Sequence, residues 1–300
     1  MKGFFAGHSV FVQSGILMTC LLAGMILCSF FSLFFSGFSP HPGDEPVWAL
    51  QLVQAVSSVG MMLIPSLLTA WLCSEHPGDF LHLRGMPDAR LLGWVTLTVV
   101  LISPTVSLTG YLNMQLHLPE ALAPLEARMR EMEDLAAEVV GKMTAEKGLF
   151  PLLTNLFIIA FLAALTEEFL FRGTLFSIFR RAIRNPHAVI WLIAVIFSAI
   201  HCQFYGFFPR MLLGAYLGYL LYWTKNLWIA VFAHFLNNAF VIVALSNDTL
   251  QENPFFAEEL APDDLGWFSL VAGGTLILFA GCMWRIFSSA APDGKRNDRT

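Results

Sequence analysis

Residues 157–172 read Phe-Ile-Ile-Ala-Phe-Leu-Ala-Ala-Leu-Thr-Glu-Glu-Phe-Leu-Phe-Arg and set three charged side chains into an apolar run. The charged residues are the adjacent Glu167 and Glu168 and, one helical turn further on, Arg172. A single charged side chain at the centre of a bilayer costs about 2.5–3.5 kcal/mol on insertion scales. The cluster therefore predicts a functional site inside a membrane helix, with polar partners on neighbouring helices.

The composition of the whole chain is typical of a membrane protein. Of the 300 residues, 56% are hydrophobic and 13% are charged, whereas soluble domains average about 25% charged residues. The net charge of −5 and the lack of a basic stripe argue against a nucleic-acid partner. The five cysteines form no CxxC pair, which disfavours both a disulfide framework and a thiolate zinc site.

Apolar stretches divide the chain into about eight transmembrane helices, because a span needs roughly 20 mostly apolar residues. We therefore predict an all-α, polytopic membrane helix bundle. Residues 1–300 are predicted to form a single integral membrane domain with a motif-bearing core at 150–247, and the first stretch is interpreted as a retained span. The predicted spans are 11–37, 47–73, 91–113, 149–179, 187–204, 207–223, 227–247 and 265–288.

The basic residues in the loops predict the orientation of the bundle. Most of the loop Lys and Arg residues, including those near the C-terminus, fall on the side of the membrane that holds the N-terminus. Both termini are therefore predicted to lie in the cytoplasm, and the short loops on that side favour a bacterial inner membrane.

The only long connection, residues 114–148, has the pattern of an amphipathic helix. Leucine and methionine recur at spacings of three and four from Leu122 to Leu135, with charged residues largely between them. The pattern predicts a helix that begins near Pro119 and lies on the membrane or caps the bundle, with substrate gating as the alternative.

The two glutamates face different directions if residues 157–172 are helical. Positions i and i+4 are neighbours on a helix, so Glu168 and Arg172 are predicted to form an ion pair that supports the site. Glu167 points elsewhere and has no charged partner in its own helix. It is therefore the carboxylate available for general-base chemistry.

Two further apolar segments supply histidines at a matching depth. Glu167 lies 17 residues before Arg184 and His201 lies 17 residues after it, so a symmetric hairpin would place them face to face. Phe197 precedes His201 by one turn and could wall the same pocket. On span seven, His234 and Asn238 share one helix face at i, i+4 spacing.

This set of side chains fits the activation of a water molecule. Glu167 could take the proton, His201 could hold the water or share the base role, and His234 and Asn238 could donate hydrogen bonds to a developing oxyanion. One preorganised donor of that kind contributes about 2.7–4 kcal/mol to transition-state stabilisation. The same residues could instead hold zinc, because catalytic zinc sites often combine two histidines, a carboxylate and water.

Three motifs in this order resemble those of the CPBP intramembrane proteases, a family that includes the CAAX prenyl endopeptidases and bacterial bacteriocin-processing or immunity (Abi) proteins. The motifs are Glu167-Glu168-Phe-Leu-Phe-Arg172, Phe197-Ser-Ala-Ile-His201 and His234-Phe-Leu-Asn-Asn238. The resemblance covers about 150–247 and implies an eight-helix bundle that hydrolyses peptide bonds within the membrane. It also implies supporting roles for Glu168 and Arg172.

The resemblance further implies that Glu167 and His201 activate the water, while His234 and Asn238 form the oxyanion site. Members of the family are described both as metalloproteases and as glutamate-dependent enzymes without metal. Because the usual HExxH zinc helix is absent and Asn is a poor zinc ligand, we favour no cofactor, and keep as the alternative a zinc ion held by Glu167, His201 and His234.

The predicted function is an intramembrane endopeptidase that cleaves a membrane-associated peptide or protein, including a lipidated or CAAX-like one. The predicted partners are that substrate and the lipid bilayer. Two other functions would use the same buried groups: a transporter, and a catalytically idle immunity or scaffold protein that binds a peptide. Transporters often have duplicated halves, and no duplication is visible in the sequence.

Overall fold

The computed structural model describes residues 1–36, 45–251 and 264–290. These residues form helices and no strand, which confirms the predicted all-α class. Most of the predicted loops 38–46 and 248–264, and the basic C-terminal residues used in the orientation argument, lie outside the described residues. The principal helices of the described part are α1 Val10–Ser36, α2 Val47–Cys73, α3 Ala89–Met114, α4 Ala123–Thr144, α5 Leu149–Ala182, α6 Pro186–Ala199, α7 Phe207–Thr224, α8 Leu227–Leu245 and α9 Leu265–Ala290.

Helices occupy all eight predicted membrane segments, but two of them differ from a full span. Within the described residues, six helices are long and apolar enough to cross a membrane: α1, α2, α3, α5, α8 and α9. Helix α6 has 14 residues and is therefore about 21 Å long, short of the roughly 30 Å hydrocarbon core. Helix α7 has 18 residues but is less apolar, because it contains Arg210 and several tyrosines.

Helix α6 ends at Ala199, five residues before the predicted boundary at 204. Asn185 is the N-cap residue of α6, and its side chain accepts a hydrogen bond from the His187 N–H at 2.9 Å. Beyond its end, Cys202 adopts a left-handed backbone with φ of 54°. The spacing of apolar side chains does not predict this change of chain direction, because the change depends on the φ angle of one residue.

The long helix α5 lies at the centre of the bundle, with α8 packed along it and α6 packed against α7. The core around α5 is formed by Phe171, Ile178, Phe197, Leu221 and Leu227, all almost fully buried. Helices α1 and α9 lie at the periphery and leave large apolar side chains uncovered along their length. Such continuous apolar exposure marks a surface that contacts lipid, and it confirms that the chain is an integral membrane protein.

The crossing of α1 and α2 depends on Gly24. A Cβ atom at this position would fall closer than 3.0 Å to the backbone oxygen of Gly60, which belongs to a π-helical stretch of α2. We expect Gly24→Ala to destabilise the protein by about 1–3 kcal/mol, because a backbone oxygen cannot move aside as a side chain can. Thermal unfolding in detergent measures the effect.

Gly15→Ala is the matched control for Gly24→Ala. Gly15 lies in the same helix, and a Cβ atom there would meet nothing within 4 Å. Alanine also has the higher helix propensity, so this control should be neutral or slightly stabilising. Equal unfolding temperatures for the two variants would contradict the close approach at Gly24.

Candidate active site

The two glutamates lie on a short α-helical stretch of α5, Ala163–Glu168, which separates two π-helical stretches. The π-helical stretches are Leu156–Leu162 and Phe169–Leu175. π-bulges within α-helices occur frequently at functional sites. The apolar pattern of the sequence did not predict them, because it records only which residues are hydrophobic.

Glu168 is fully buried and accepts hydrogen bonds from two neighbours. Its Oε1 accepts from Arg172 Nη1 at 2.7 Å and from His234 Nδ1 at 2.8 Å. The buried Arg172 donates through Nη2 to the carbonyl oxygen of Gly214 at 2.8 Å, and its Cζ lies 4.6 Å from the centre of the Phe197 ring. These contacts join α5 to α6, α7 and α8. The predicted pair of Glu168 and Arg172 therefore forms and also reaches three other helices.

Glu167 differs from Glu168 in both exposure and contacts. Its side chain is 15% exposed, against 0% for Glu168. Its Oε2 lies 3.8 Å from Nε2 of His234, and it accepts no hydrogen bond within the described part of the chain. His234 thus lies between the two carboxylates, bonded to one and facing the other. The Glu167 carboxylate is the one that remains open to the cavity beside it.

His201 lies in the connection between α6 and α7, not inside a helix. Its Nδ1 is 2.7 Å from the carbonyl oxygen of Phe197, and the centres of the two rings are 5.2 Å apart. The Phe197 ring also packs edge-on against His234, with 5.9 Å between the centres. Phe197 therefore contacts both imidazoles and lines the same cavity as the two histidines.

The acceptors around each imidazole determine which ring nitrogen carries hydrogen. A carbonyl oxygen only accepts, so Nδ1 of His201 is the donor to Phe197 and Nε2 of the neutral ring keeps a lone pair. Nδ1 of His234 is likewise the donor to Glu168. Nε2 of His234 then donates only when the ring is an imidazolium.

Asn238 has its amide oriented by its neighbour in the chain. The Asn237 Nδ2 donates to the Asn238 Oδ1 at 3.3 Å. Because its oxygen already accepts this bond, Asn238 is left with its NH₂ group as the donor for another partner.

One cavity of about 480 Å³ brings these side chains together. Its size falls within the usual range for ligand sites, about 300–1,000 Å³. A larger groove of about 820 Å³, between α3, α6, α7 and α9, contains none of the predicted site residues. The smaller cavity is lined by Glu167, Phe197, His201, His234 and Asn238, and also by Val140, Gly206, Arg210 and Asn237.

The predicted amphipathic helix is present and contacts the connection that carries His201. It follows a 3₁₀ turn at Glu120–Leu122 and forms α4, Ala123–Thr144. Glu133 accepts a hydrogen bond from the Tyr205 N–H at 3.0 Å, and Glu126 accepts one from the Tyr205 hydroxyl at 3.0 Å. Arg130 lies over the Tyr205 ring, with its Cζ 4.1 Å from the centre. Helix α4 therefore caps the bundle at the rim of the cavity.

The negative charge of Glu126 on α4 is stable across the physiological pH range. The hydrogen bonds from Arg130 and then from the Leu118 N–H lower the pKa of Glu126 to about 2. Glu126 thus stays ionised at any pH near neutrality, and its contact with Tyr205 persists.

Glu133→Ala should loosen the connection between α6 and α7. The Tyr205 N–H would lose a hydrogen bond to a charged acceptor, a bond worth about 1.5–3 kcal/mol. Opening of residues 200–206 should increase roughly 10- to 150-fold, as measured by amide hydrogen exchange. Glu131→Ala is the control, since Glu131 contacts Arg128 on the exposed surface of α4. Unchanged exchange in the Glu133 variant would contradict the anchoring contact.

The predicted zinc ligands are not arranged as a metal site. Among the described residues, no group of three or more His, Cys, Asp or Glu side chains is close enough to hold a metal ion. Glu167, His201 and His234 share the cavity without converging on one point. The zinc alternative is therefore not supported by this donor set.

Comparison with known families agrees with the three motifs. Residues 149–240 match the family model described as type II CAAX prenyl endopeptidase Rce1-like. The match confirms the predicted resemblance to the CPBP proteases and supports an intramembrane endopeptidase that acts on a membrane-associated substrate. No curated protein and no solved structure gave a significant match to the chain.

Sequence reasoning missed two kinds of residue in the site. Arg210 lines the cavity but belongs to none of the three motifs, and Asn237 lies within the third motif but was given no role. An arginine in an otherwise apolar predicted span is the signal that could have singled out Arg210. The contacts of Glu126 and Glu133 with Tyr205 join segments more than 70 residues apart, and no local pattern predicts them.

Proposed function

We propose that the protein is a metal-independent intramembrane endopeptidase that hydrolyses a peptide bond in a membrane-associated peptide, including a lipidated or CAAX-like one. It forms a single membrane domain, resides in a bacterial inner membrane and has both termini in the cytoplasm. The observation that carries the proposal is the difference in burial and hydrogen bonding between the two glutamates. Glu168 is fully buried and accepts hydrogen bonds from Arg172 and His234 through Oε1, while Glu167 faces the cavity without a hydrogen bond from the described residues.

Glu167 acts as the general base in this proposal. It removes a proton from a water molecule as the water oxygen forms a bond to the scissile carbonyl carbon. His201 accepts a hydrogen bond from the same water through its unprotonated Nε2, because its Nδ1–H is donated to Phe197. When the intermediate collapses, the C–N bond breaks and the proton held by Glu167 passes to the leaving nitrogen. No atom other than those of water is added to the peptide.

His234 and Asn238 stabilise the negative charge on the carbonyl oxygen. Asn238 contributes its NH₂ group, since its Oδ1 already accepts from Asn237. His234 contributes Nε2–H in its imidazolium form, and its ring lies between the Glu167 and Glu168 carboxylates. Each such donor contributes about 2.7–4 kcal/mol to catalysis in comparable sites.

Peptide cleavage by the purified protein in liposomes tests this function. The substrates are a library of membrane peptides that contains prenylated and unmodified C-terminal sequences, and mass spectrometry identifies the cleaved bonds. Cleavage that persists in a chelator supports metal-independent hydrolysis. Cleavage that is lost in the chelator and restored by zinc would overturn the metal-independent mechanism. Peptide binding without cleavage would favour an idle scaffold.

A further inference from the structure

Arg210 is a second arginine near the site, half-buried where Arg172 is fully buried, and its surroundings differ from those of Arg172. It lies in the first turn of α7 and lines the same cavity as Glu167, His201 and His234. Arg172 donates to the Glu168 carboxylate and to the Gly214 carbonyl oxygen, has only its Nε buried without a partner among the described residues, and does not line that cavity. The proposed chemistry assigns roles to Glu167, His201, His234 and Asn238 and leaves Arg210 without one.

The guanidinium of Arg210 is only partly satisfied by the protein. Its Nη2 donates to Gln203 Oε1 at 2.6 Å. Its Nη1 is buried and has no hydrogen-bond partner among the described residues. Glu133 and Glu167 are the carboxylates that interact with it electrostatically, and neither forms an ion pair with it in the described structure. Since a guanidinium has five donors and no acceptor, it can still bind an anion.

Gly206 leaves the space that this guanidinium occupies. A Cβ atom at Gly206 would lie 2.7 Å from Arg210 Nη2 and 3.3 Å from its Cζ. The arginine side chain is thus folded back over the connection between α6 and α7, with its end group at the cavity. Any side chain at position 206 would displace it.

We propose that Arg210 binds a carboxylate of the peptide substrate. Guanidinium groups pair with carboxylates through two parallel hydrogen bonds, and these charge-assisted bonds are among the strongest in proteins. The carboxylate comes either from the C-terminus of the peptide or from an acidic side chain. Because Arg210 shares one cavity of about 480 Å³ with Glu167, the bond that is cleaved lies a short distance from that carboxylate. The inference rests on the proposed function and adds a substrate specificity to it.

Binding to an inactive form separates this inference from the hydrolysis itself. Glu167→Gln protein in detergent is titrated with three fluorescent peptides of one sequence: the free C-terminal acid, the C-terminal amide, and the amide with one added aspartate near its end. We expect the free acid to bind roughly 10- to 150-fold more tightly than the amide, as for a hydrogen bond to a charged group. If the aspartate peptide recovers that affinity, a side-chain carboxylate is sufficient.

Arg210→Gln, introduced into the same protein, should abolish the difference between acid and amide. Gly206→Ala should reduce the difference while keeping the arginine, so the result does not depend on one variant's folding. Arg184→Gln is the matched control, because Arg184 is exposed at the end of α5. Equal binding of acid and amide, a preference that survives Arg210→Gln, or binding of no peptide would overturn the inference.

Cleavage of the same peptides by the wild-type protein distinguishes failure of this inference from failure of the proposed function. A preference for the acid in binding, without cleavage of any peptide, would support the role of Arg210 and contradict the endopeptidase. Cleavage of acid and amide with equal efficiency would support the endopeptidase and contradict the role of Arg210.

Discussion

Glu167→Gln should reduce peptide cleavage by about 10²–10⁴-fold, the usual contribution of a general base. Glutamine has nearly the same shape as glutamate but cannot accept a proton from water at neutral pH. The side chain faces the cavity and forms no hydrogen bond with the described residues, so its replacement should leave the fold intact. The comparison is made at equal amounts of folded protein, judged by thermal unfolding in detergent.

Glu138→Gln provides the matched control for this variant. Glu138 is exposed on α4 and contacts only the neighbouring Lys142 among the described residues. The Glu138→Gln variant should cleave the peptide at the wild-type rate. Wild-type cleavage by the Glu167 variant would show that another group activates the water and would remove the main support for the mechanism.

The double variant Glu167→Gln, His201→Gln tests whether the two residues act on one water molecule. Residues that work as a unit show strongly non-additive losses, as in other hydrolytic sites. The double variant should therefore be about as active as the single Glu167 variant. A loss equal to the product of the two single losses would assign His201 to a separate step.

Arg172→Met should have the largest effect on stability. Removal of one partner from a buried ion pair typically costs about 3–5 kcal/mol, because the remaining charge is left without compensation. Glu168 would stay in the core of the bundle with only His234 as a hydrogen-bond donor. Against a total stability of about 5–15 kcal/mol for ordinary proteins, this loss is a large fraction of the free energy of unfolding. Denaturant titration in detergent micelles measures the loss.

Two further variants test whether the loss of stability in Arg172→Met comes from the unpaired buried charge. Arg184→Met removes an exposed arginine from the same segment and should leave stability unchanged. Arg172→Met combined with Glu168→Gln removes both charges and should recover part of the loss, since the penalty arises from the unpaired charge. Wild-type stability of Arg172→Met alone would show that neither the buried pair nor the bond from Arg172 to the Gly214 carbonyl oxygen in α7 contributes to the stability of the bundle.

The sequence by itself determined the features that depend on local geometry. The lengths of the apolar runs predicted the helical membrane bundle, and helices occupy every predicted segment. The four-residue spacing of Glu168 and Arg172 predicted their ion pair, which is confirmed at 2.7 Å. The order of the three motifs predicted the family and the residues that meet in the cavity. The geometry of one helix sufficed for the spans and the ion pair, whereas the family followed from the resemblance of the three motifs to known proteins.

Only the tertiary structure decided which polar side chains of the site are hydrogen-bonded within the protein and which face the cavity. The position of His234 between two carboxylates depends on how α8 packs against α5, and π-helical stretches on both sides of the glutamates alter the direction of each side chain there. Helix α6 ends early because Cys202 reverses the backbone, so His201 lies in a connection. The inclusion of Arg210 in the site depends on contacts between helices. Such contacts depend on packing and burial over the whole bundle, which the period of a single helix does not encode.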